Sequence, residues 1–358
     1  MVFSRFRSVA PEIVVKVQEA EARFAAEDLS LIVQWSNAMQ GDRIKLLGFD
    51  LPSSSMSGLI GVNTRCPKRI ESLQISAANV PEASNIFHLT PFIGHFPHVS
   101  ELRLYNLSEI AIEERQLTST VKALVILGGK VTTPFTNLSW FGNLVVLEIT
   151  RATFPHDMLD TIIILDKLQD LRVYKSDGIP WKCLYTPQLT RMDFLLKKAF
   201  PEEALSFLRR NQEIRRFFLI SYGNNLQTVA SVLPGLEALQ VLGTAYHGLY
   251  DPSIIEQTTL PFLGLRQLII TSLKPQSTYD LESLVAARCR LSSASDPSLV
   301  PLRKITIQYP YGQKFKIDPE AQSRLGRCTI RYSRVAEPRY ENWCNCTLNW
   351  AQDAEGAQ

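Results

Sequence analysis

His88, His95 and His98 crowd one short stretch, and imidazoles at i and i+3 on a helix point the same way, as a transition-metal site requires. Pro97 breaks any helix between the last two, and no third spaced ligand closes a familiar pattern. Cys344-x-Cys346, flanked by Trp343 and Trp350, puts two thiols on one side of an extended chain. Zinc takes four ligands and only Cys328 is near enough in sequence to add, so an aromatic tail packing over the end of the fold is the expected role. Gly128-Gly129-Lys130 has the look of a phosphate loop without its leading glycine or the hydroxyl residue after the lysine, and reads as a turn. Gly-x-Ser-x-Gly, His-Glu-x-x-His and Gly-x-Gly-x-x-Gly are all missing from the sequence. The expectation is a protein with no catalytic, cofactor-binding or metal-binding residues, hence not an enzyme.

If these residues are not chemistry, they are scaffold, and composition bounds what scaffold it can be. The chain has 358 residues, 45% of them hydrophobic and 20% charged, which is enough apolar material for a large core. Its formal charge of +3 is too mild to argue for nucleic acid or an anionic membrane surface. The opening "MVFSRFRSVAPEIVVKV" interrupts its apolar residues with Arg5, Arg7, Glu12 and Lys16, and no apolar run nears the ~20 residues of a spanning helix. Six cysteines, sparse and mostly far apart, suit reduced thiols. An intracellular protein, in cytoplasm or nucleus, is therefore expected.

The apolar spacing is more informative. The pattern apolar-x-x-apolar-x-apolar recurs at Ile44/Leu47/Phe49, Ile70/Leu73/Ile75, Val99/Leu102/Leu104, Val121/Leu124/Ile126, Leu144/Leu147/Ile149 and Leu168/Leu171/Val173. It continues at Leu189/Met192/Phe194, Ile214/Phe217/Leu219, Leu236/Leu239/Val241, Leu265/Leu268/Ile270 and Leu302/Ile305/Ile307. Successive centres lie 21 to 37 residues apart, mostly inside the leucine-rich repeat range of about 20 to 29. Within each unit the outer residues of apolar-x-apolar share one strand face and the middle residue takes the other. Between units, "HDMLDTIIILDKL", "PEEALSFLRRN" and "NLQTVASVL" carry helical apolar spacing. The expected fold is α/β: a leucine-rich repeat solenoid of about eleven irregular repeats with a concave parallel β-sheet and convex helices. Residues 1–40 form an N-terminal helical cap without a complete F-box, 41–308 the solenoid, and 309–358 a C-terminal cap and tail.

The units "FPHVSELRLYNL", "FGNLVVLEITRATF" and "LPGLEALQVLGTAY", with "LESLVAARCRL" leading into "LVPLRKITI", resemble the repeat region of fungal F-box proteins over roughly residues 27 to 308. "EDLSLIVQWSNAMQGDRIKLLGFDL" resembles the segment that joins an F-box to the first repeat, and Ala10-Pro11-Glu12-Ile13 the opening of the box itself. The resemblance implies a substrate-receptor-like role in a ubiquitin ligase, with the ligase adaptor as partner only if an F-box lies upstream. A leucine-rich repeat scaffold or adaptor outside any ligase is the alternative.

Either way the expected activity is protein binding by a monomer, with no nucleic acid and no membrane. The partner is expected on the concave face, where the interleaved residues include Arg103, Tyr105, Glu148, Arg172, Tyr174, Arg191, Asp193 and Phe218. Tyr, Phe and Arg combine large contact area with a polar or planar charged end and so recur at interaction hot spots. The competing role for the same residues is cross-strand pairing within the sheet, such as Arg172 beside Glu148 and Asp193.

Overall fold

The computed structural model describes residues 12–16, 31, 43–51, 69–77, 86–113, 120–155, 161–195, 201–220, 225–242, 262–271, 284, 288, 300, 302–310 and 329–335. The chain divides into two compact units, Met1–Arg191 and Met192–Gln358.

In the first unit the described strands are β1 (Glu12–Lys16), β2 (Arg43–Leu51), β3 (Arg69–Ala77), β4 (Ile86–His88), β5 (Glu101–Tyr105), β6 (Glu109–Ala111), β7 (Ala123–Val131), β8 (Val146–Thr153), β9 (Ile163–Ile164), β10 (Asp170–Tyr174) and β11 (Leu184–Tyr185). The main sheet runs β1-β2-β3-β5-β7-β8-β10, every neighbouring pair parallel. Short β4 pairs with β6, β6 also pairs with β7, and β9 with β11 makes a separate two-stranded sheet. The apolar triplets explain the register. Leu47, Leu73, Leu102, Leu124, Leu147 and Leu171 align across six strands, and all six are fully buried. Phe49, Ile75, Leu104, Ile126, Ile149 and Val173 form a parallel row two residues on. Burying each such side chain stabilises by about 1.5–3 kcal/mol, and slipping one strand by one residue would turn its whole apolar set to the other face.

The second unit contains β12 (Arg191–Leu195, starting on the last residue of the first unit), β13 (Arg216–Ile220), β14 (Ala238–Leu242), β15 (Gln267–Thr271), β16 (Lys304–Pro310) and β17 (Thr329–Val335). Pairing from β13 through β17 is parallel, with Phe217, Leu239, Leu268 and Ile305 aligned and buried. Arg288 is fully buried and donates from Nη2 to the carbonyls of Phe262 at 2.9 Å and Val300 at 3.1 Å, tying the approach to β15 to the approach to β16.

Among the described residues helices are few: α1 (Leu89–Ile93) in the first unit, and α2 (Glu202–Arg210) and α3 (Asn225–Val232) in the second, beside single helical positions at Leu31, Leu284 and Arg288. In α2 the buried Ala204, Leu205, Phe207 and Leu208 make one face, with Glu202 and Glu203 in the first turn and Arg209 and Arg210 in the last, complementing the helix dipole. These observations overturn the expected α/β leucine-rich repeat solenoid of about eleven alternating repeats. Among the described residues the chain is mostly parallel β-sheet with three short helices, where alternation requires a helix after nearly every strand. "HDMLDTIIILDKL" shows why. Its Ile162-Ile163-Ile164 run is β-branched, which crowds a helix and suits a strand, and Ile163–Ile164 pair with Leu184–Tyr185. Between β7 and β8, Pro134 stands before a single 3₁₀ segment, Phe135–Trp140.

The F-box leucine-rich repeat assignment and its ubiquitin-ligase receptor role are corrected with it, because this sheet topology is not that fold. Glu12 and Ile13, set by the resemblance in the opening of a helical box, belong to strand β1 and pair with Leu46 and Leu47.

Candidate functional site

On each strand of the first unit the residues between the buried apolar ones share the opposite face. Register assembles them into three rows: Ser72–Glu101–Ala123–Val146–Asp170, Gln74–Arg103–Val125–Glu148–Arg172 and Ser76–Tyr105–Leu127–Thr150–Tyr174. The sequence-predicted Arg103, Tyr105, Glu148, Arg172 and Tyr174 are thus brought onto one face, with Arg191 beside Asp170.

Exposure divides them. Glu148 and Arg172 retain 2% and 5% of their surface, and Tyr174 and Arg191 are also buried. Arg172 Nη1 meets Glu148 Oε2 at 3.2 Å, while its Nη2 meets Asp170 Oδ2 at 2.6 Å and its Nε donates to the same carboxylate. Arg191 Nη1 lies 3.6 Å from that Asp170 oxygen. Two cations and two carboxylates therefore interlock. Buried charge is tolerated best when paired and hydrogen-bonded, and here the pairing spans β8 and β10 and reaches Arg191.

Toward β5 the face opens. The Glu101 and Arg103 side chains each keep 25% exposure, joined from Arg103 Nη2 to Glu101 Oε1 at 2.8 Å. Burial works against the Arg103 charge, but Glu101 and Tyr105 beside it outweigh that and hold its pKa above the ordinary value. Burial is also the main cause that raises the Tyr105 pKa, opposed by the Arg103 charge and reinforced by the carboxylates of Glu148 and Glu101. Tyr105 therefore stays a neutral phenol, with its ring half-exposed.

In the second unit Asp193 and Phe218 are buried. Phe218 aligns with Gln240 and Ile269, and a polar group that the sequence did not suggest lies nearby. Gln240 Nε2 donates to Thr271 Oγ1 at 3.2 Å and to Gln308 Oε1 at 3.3 Å, and Thr271 Oγ1 donates to Gln308 Oε1 at 2.9 Å. All three are buried at interleaved strand positions. Their only sequence signal was a polar residue inside an apolar run, as in Ile307-Gln308.

The other candidates are placed differently. His88 Nδ1 lies 2.6 Å from Glu113 Oε1, and the His95 ring stands edge-on to Phe96. No group of three or more His, Cys, Asp or Glu among the described residues is placed to hold a metal ion. Gly128 and Gly129 bend β7 with φ of 78° and 98°. A Cβ on Gly129 would stand 2.0 Å from the Leu107 carbonyl oxygen, so the glycine serves a close strand approach. Cys328, Trp343, Cys344, Cys346 and Trp350 lie outside the described residues. No described helix is long and apolar enough to cross a membrane.

No family model matches the chain, and no curated protein matches it. Among solved structures it is similar to a leucine-rich repeat protein of Leptospira interrogans, at 15% identity and a TM-score of 0.29 over 80% of this chain and 89% of that one. At that level of similarity, neither residues nor roles are carried over from it.

Proposed function

We propose that this chain is a protein-recognition module, without catalytic chemistry of its own, whose contact centres on Glu101, Arg103 and Tyr105 of β5. The observation that carries the reading is the change in exposure along one sheet face. Arg172, Glu148 and Tyr174 are packed away, while β5 offers an arginine and a tyrosine at partial exposure, already oriented by Glu101. Such pre-ordered side chains lose little conformational freedom on binding, and Tyr and Arg are the types that dominate hot spots. The buried ion group then acts as a brace for the strands behind the contact. An intracellular setting belongs to the same reading.

Proximity labelling with the wild-type chain and with Arg103→Ala and Tyr105→Ala tests it. Partners specific to this face should be depleted for both variants, each of which should unfold within a few degrees of wild type. An identical set of labelled proteins for all three chains would overturn the proposal.

A further inference from the structure

In the second unit the residues that stand just before consecutive strands form a ladder of their own. Glu237 N donates to the Arg215 carbonyl at 2.9 Å, Arg266 N to that of Glu237 at 2.8 Å and Arg303 N to that of Arg266 at 2.8 Å. Backbone bonds therefore hold Arg266 and Arg303 on neighbouring rungs about 4.8 Å apart. Lys304 follows as the first residue of β16. Arg266 and Arg303 are exposed and Lys304 is half-exposed, so three cations crowd the start of β15 and β16, where like charges side by side repel. Elsewhere the chain gives such a cation a carboxylate close at hand: Lys45 has Glu12 at 2.8 Å, Arg103 has Glu101 at 2.8 Å, Arg172 has Asp170 at 2.6 Å and Arg215 has Glu213 at 2.8 Å. Among the described residues, the side chains of Arg266, Arg303 and Lys304 enter no ion pair or hydrogen bond. The surrounding sequence adds to the imbalance. Residues 301–335 hold eight Lys or Arg and two Asp or Glu, a surplus of six in a chain whose formal charge is +3.

We propose that Arg266, Arg303 and Lys304 form a contact for an acidic segment of a partner protein, whose carboxylates supply the counter-charge that the fold withholds. Three cations without partners on two neighbouring rungs sum their fields, as a lone exposed arginine does not. A guanidinium donates to a carboxylate through two N–H groups at once, and alternate side chains of an extended segment fall about 6.5–7 Å apart, within the reach of this strip. Glu237, on the rung before Arg266, bounds the strip on that side, and Arg303 and Lys304 lie beyond it. A single-stranded nucleic acid would also call for aromatic rings beside the cations, yet strand register pairs Tyr332 with Ile307 and sets Tyr309 two residues after Ile307, in the apolar rows. The inference takes from the proposed function only the class of partner. None of its residues belongs to β5.

The test uses the full chain and a fluorescein-labelled oligoglutamate peptide, followed by fluorescence anisotropy at low and high salt. Wild type should bind in a salt-sensitive manner, and the triple variant Arg266→Gln/Arg303→Gln/Lys304→Gln should lose about tenfold or more in affinity. The comparison is a second triple variant, Lys122→Gln/Lys167→Gln/Lys182→Gln, which removes the same charge from exposed positions of the first unit and should stay within about twofold of wild type. Equal losses in the two triples would reduce the effect to net charge and overturn the proposal, as would unchanged affinity in the first. Melting curves accompany each chain. Should the first triple unfold, the single variants Arg266→Gln and Arg303→Gln decide: a loss of about threefold in each supports the contact, and wild-type affinity in both overturns it. Equal binding of a single-stranded oligonucleotide of the same charge, or of phosphatidylserine vesicles through the same three residues, would also overturn it. Tyr105→Ala should leave peptide binding intact, so failure here and failure of the β5 patch are separately visible.

Discussion

Replacing Arg172 by methionine removes a guanidinium and leaves a side chain of similar length. Three hydrogen-bonding nitrogens disappear: Nη1 at 3.2 Å from Glu148, and Nη2 at 2.6 Å and Nε at 3.1 Å from Asp170. Glu148, with 2% of its surface exposed, cannot turn to water for compensation. Removing one partner of a buried ion pair costs about 3–5 kcal/mol, chiefly because the remaining charge stays desolvated. The same pair on an open, solvated face would be worth about 0–1 kcal/mol. Those ranges do not overlap, so urea denaturation followed by tryptophan fluorescence separates a brace from a contact residue. The expected result is a loss of about 3–5 kcal/mol, a large part of the ~5–15 kcal/mol that holds a domain together. Adding Glu148→Leu, which removes the stranded carboxylate, should recover part of it. A loss below about 1 kcal/mol for Arg172→Met would refute the assignment of this group to the interior.

Leu171→Ala, in the fully buried leucine row, should cost about 2–5 kcal/mol in the same assay, and a cost near zero would mean the row is not the core. Gly129→Ala forces a Cβ to within 2.0 Å of the Leu107 oxygen at a φ of 98°, and should lower stability by about 1–3 kcal/mol, whereas a neutral result would contradict that backbone geometry. The raised Tyr105 pKa has a definite sign: its contribution is complete below the ordinary phenol value near 10 and is lost as pH rises through the higher folded value. Melting temperature should therefore fall in alkali, and less steeply for Tyr105→Phe; identical pH profiles would show that the phenol does not feel its burial.

What the sequence determined by itself is the strand register. A strand reveals itself by alternation, and Leu102-x-Leu104 or Leu171-x-Val173 needs only the neighbouring unit to be buried, so spacing and apolar character suffice. The connections were not legible in the same way. Apolar residues at helical spacing also occur in short strands, and Ile163–Ile164 became β9 because Leu184–Tyr185 lay in position to pair with it, which no local pattern reveals. The interleaved face was readable as a set of residues but not in its exposure. Arg103 and Arg172 occupy equivalent places in their repeats and look alike in the sequence, yet Arg172 finds carboxylates on β8 and β10 and is buried, while Arg103 meets Glu101 and Tyr105 of its own strand and stays partly in solvent. Desolvation is a property of everything packed around a side chain, so only the tertiary structure could decide which arginine braces the sheet and which remains available to a partner.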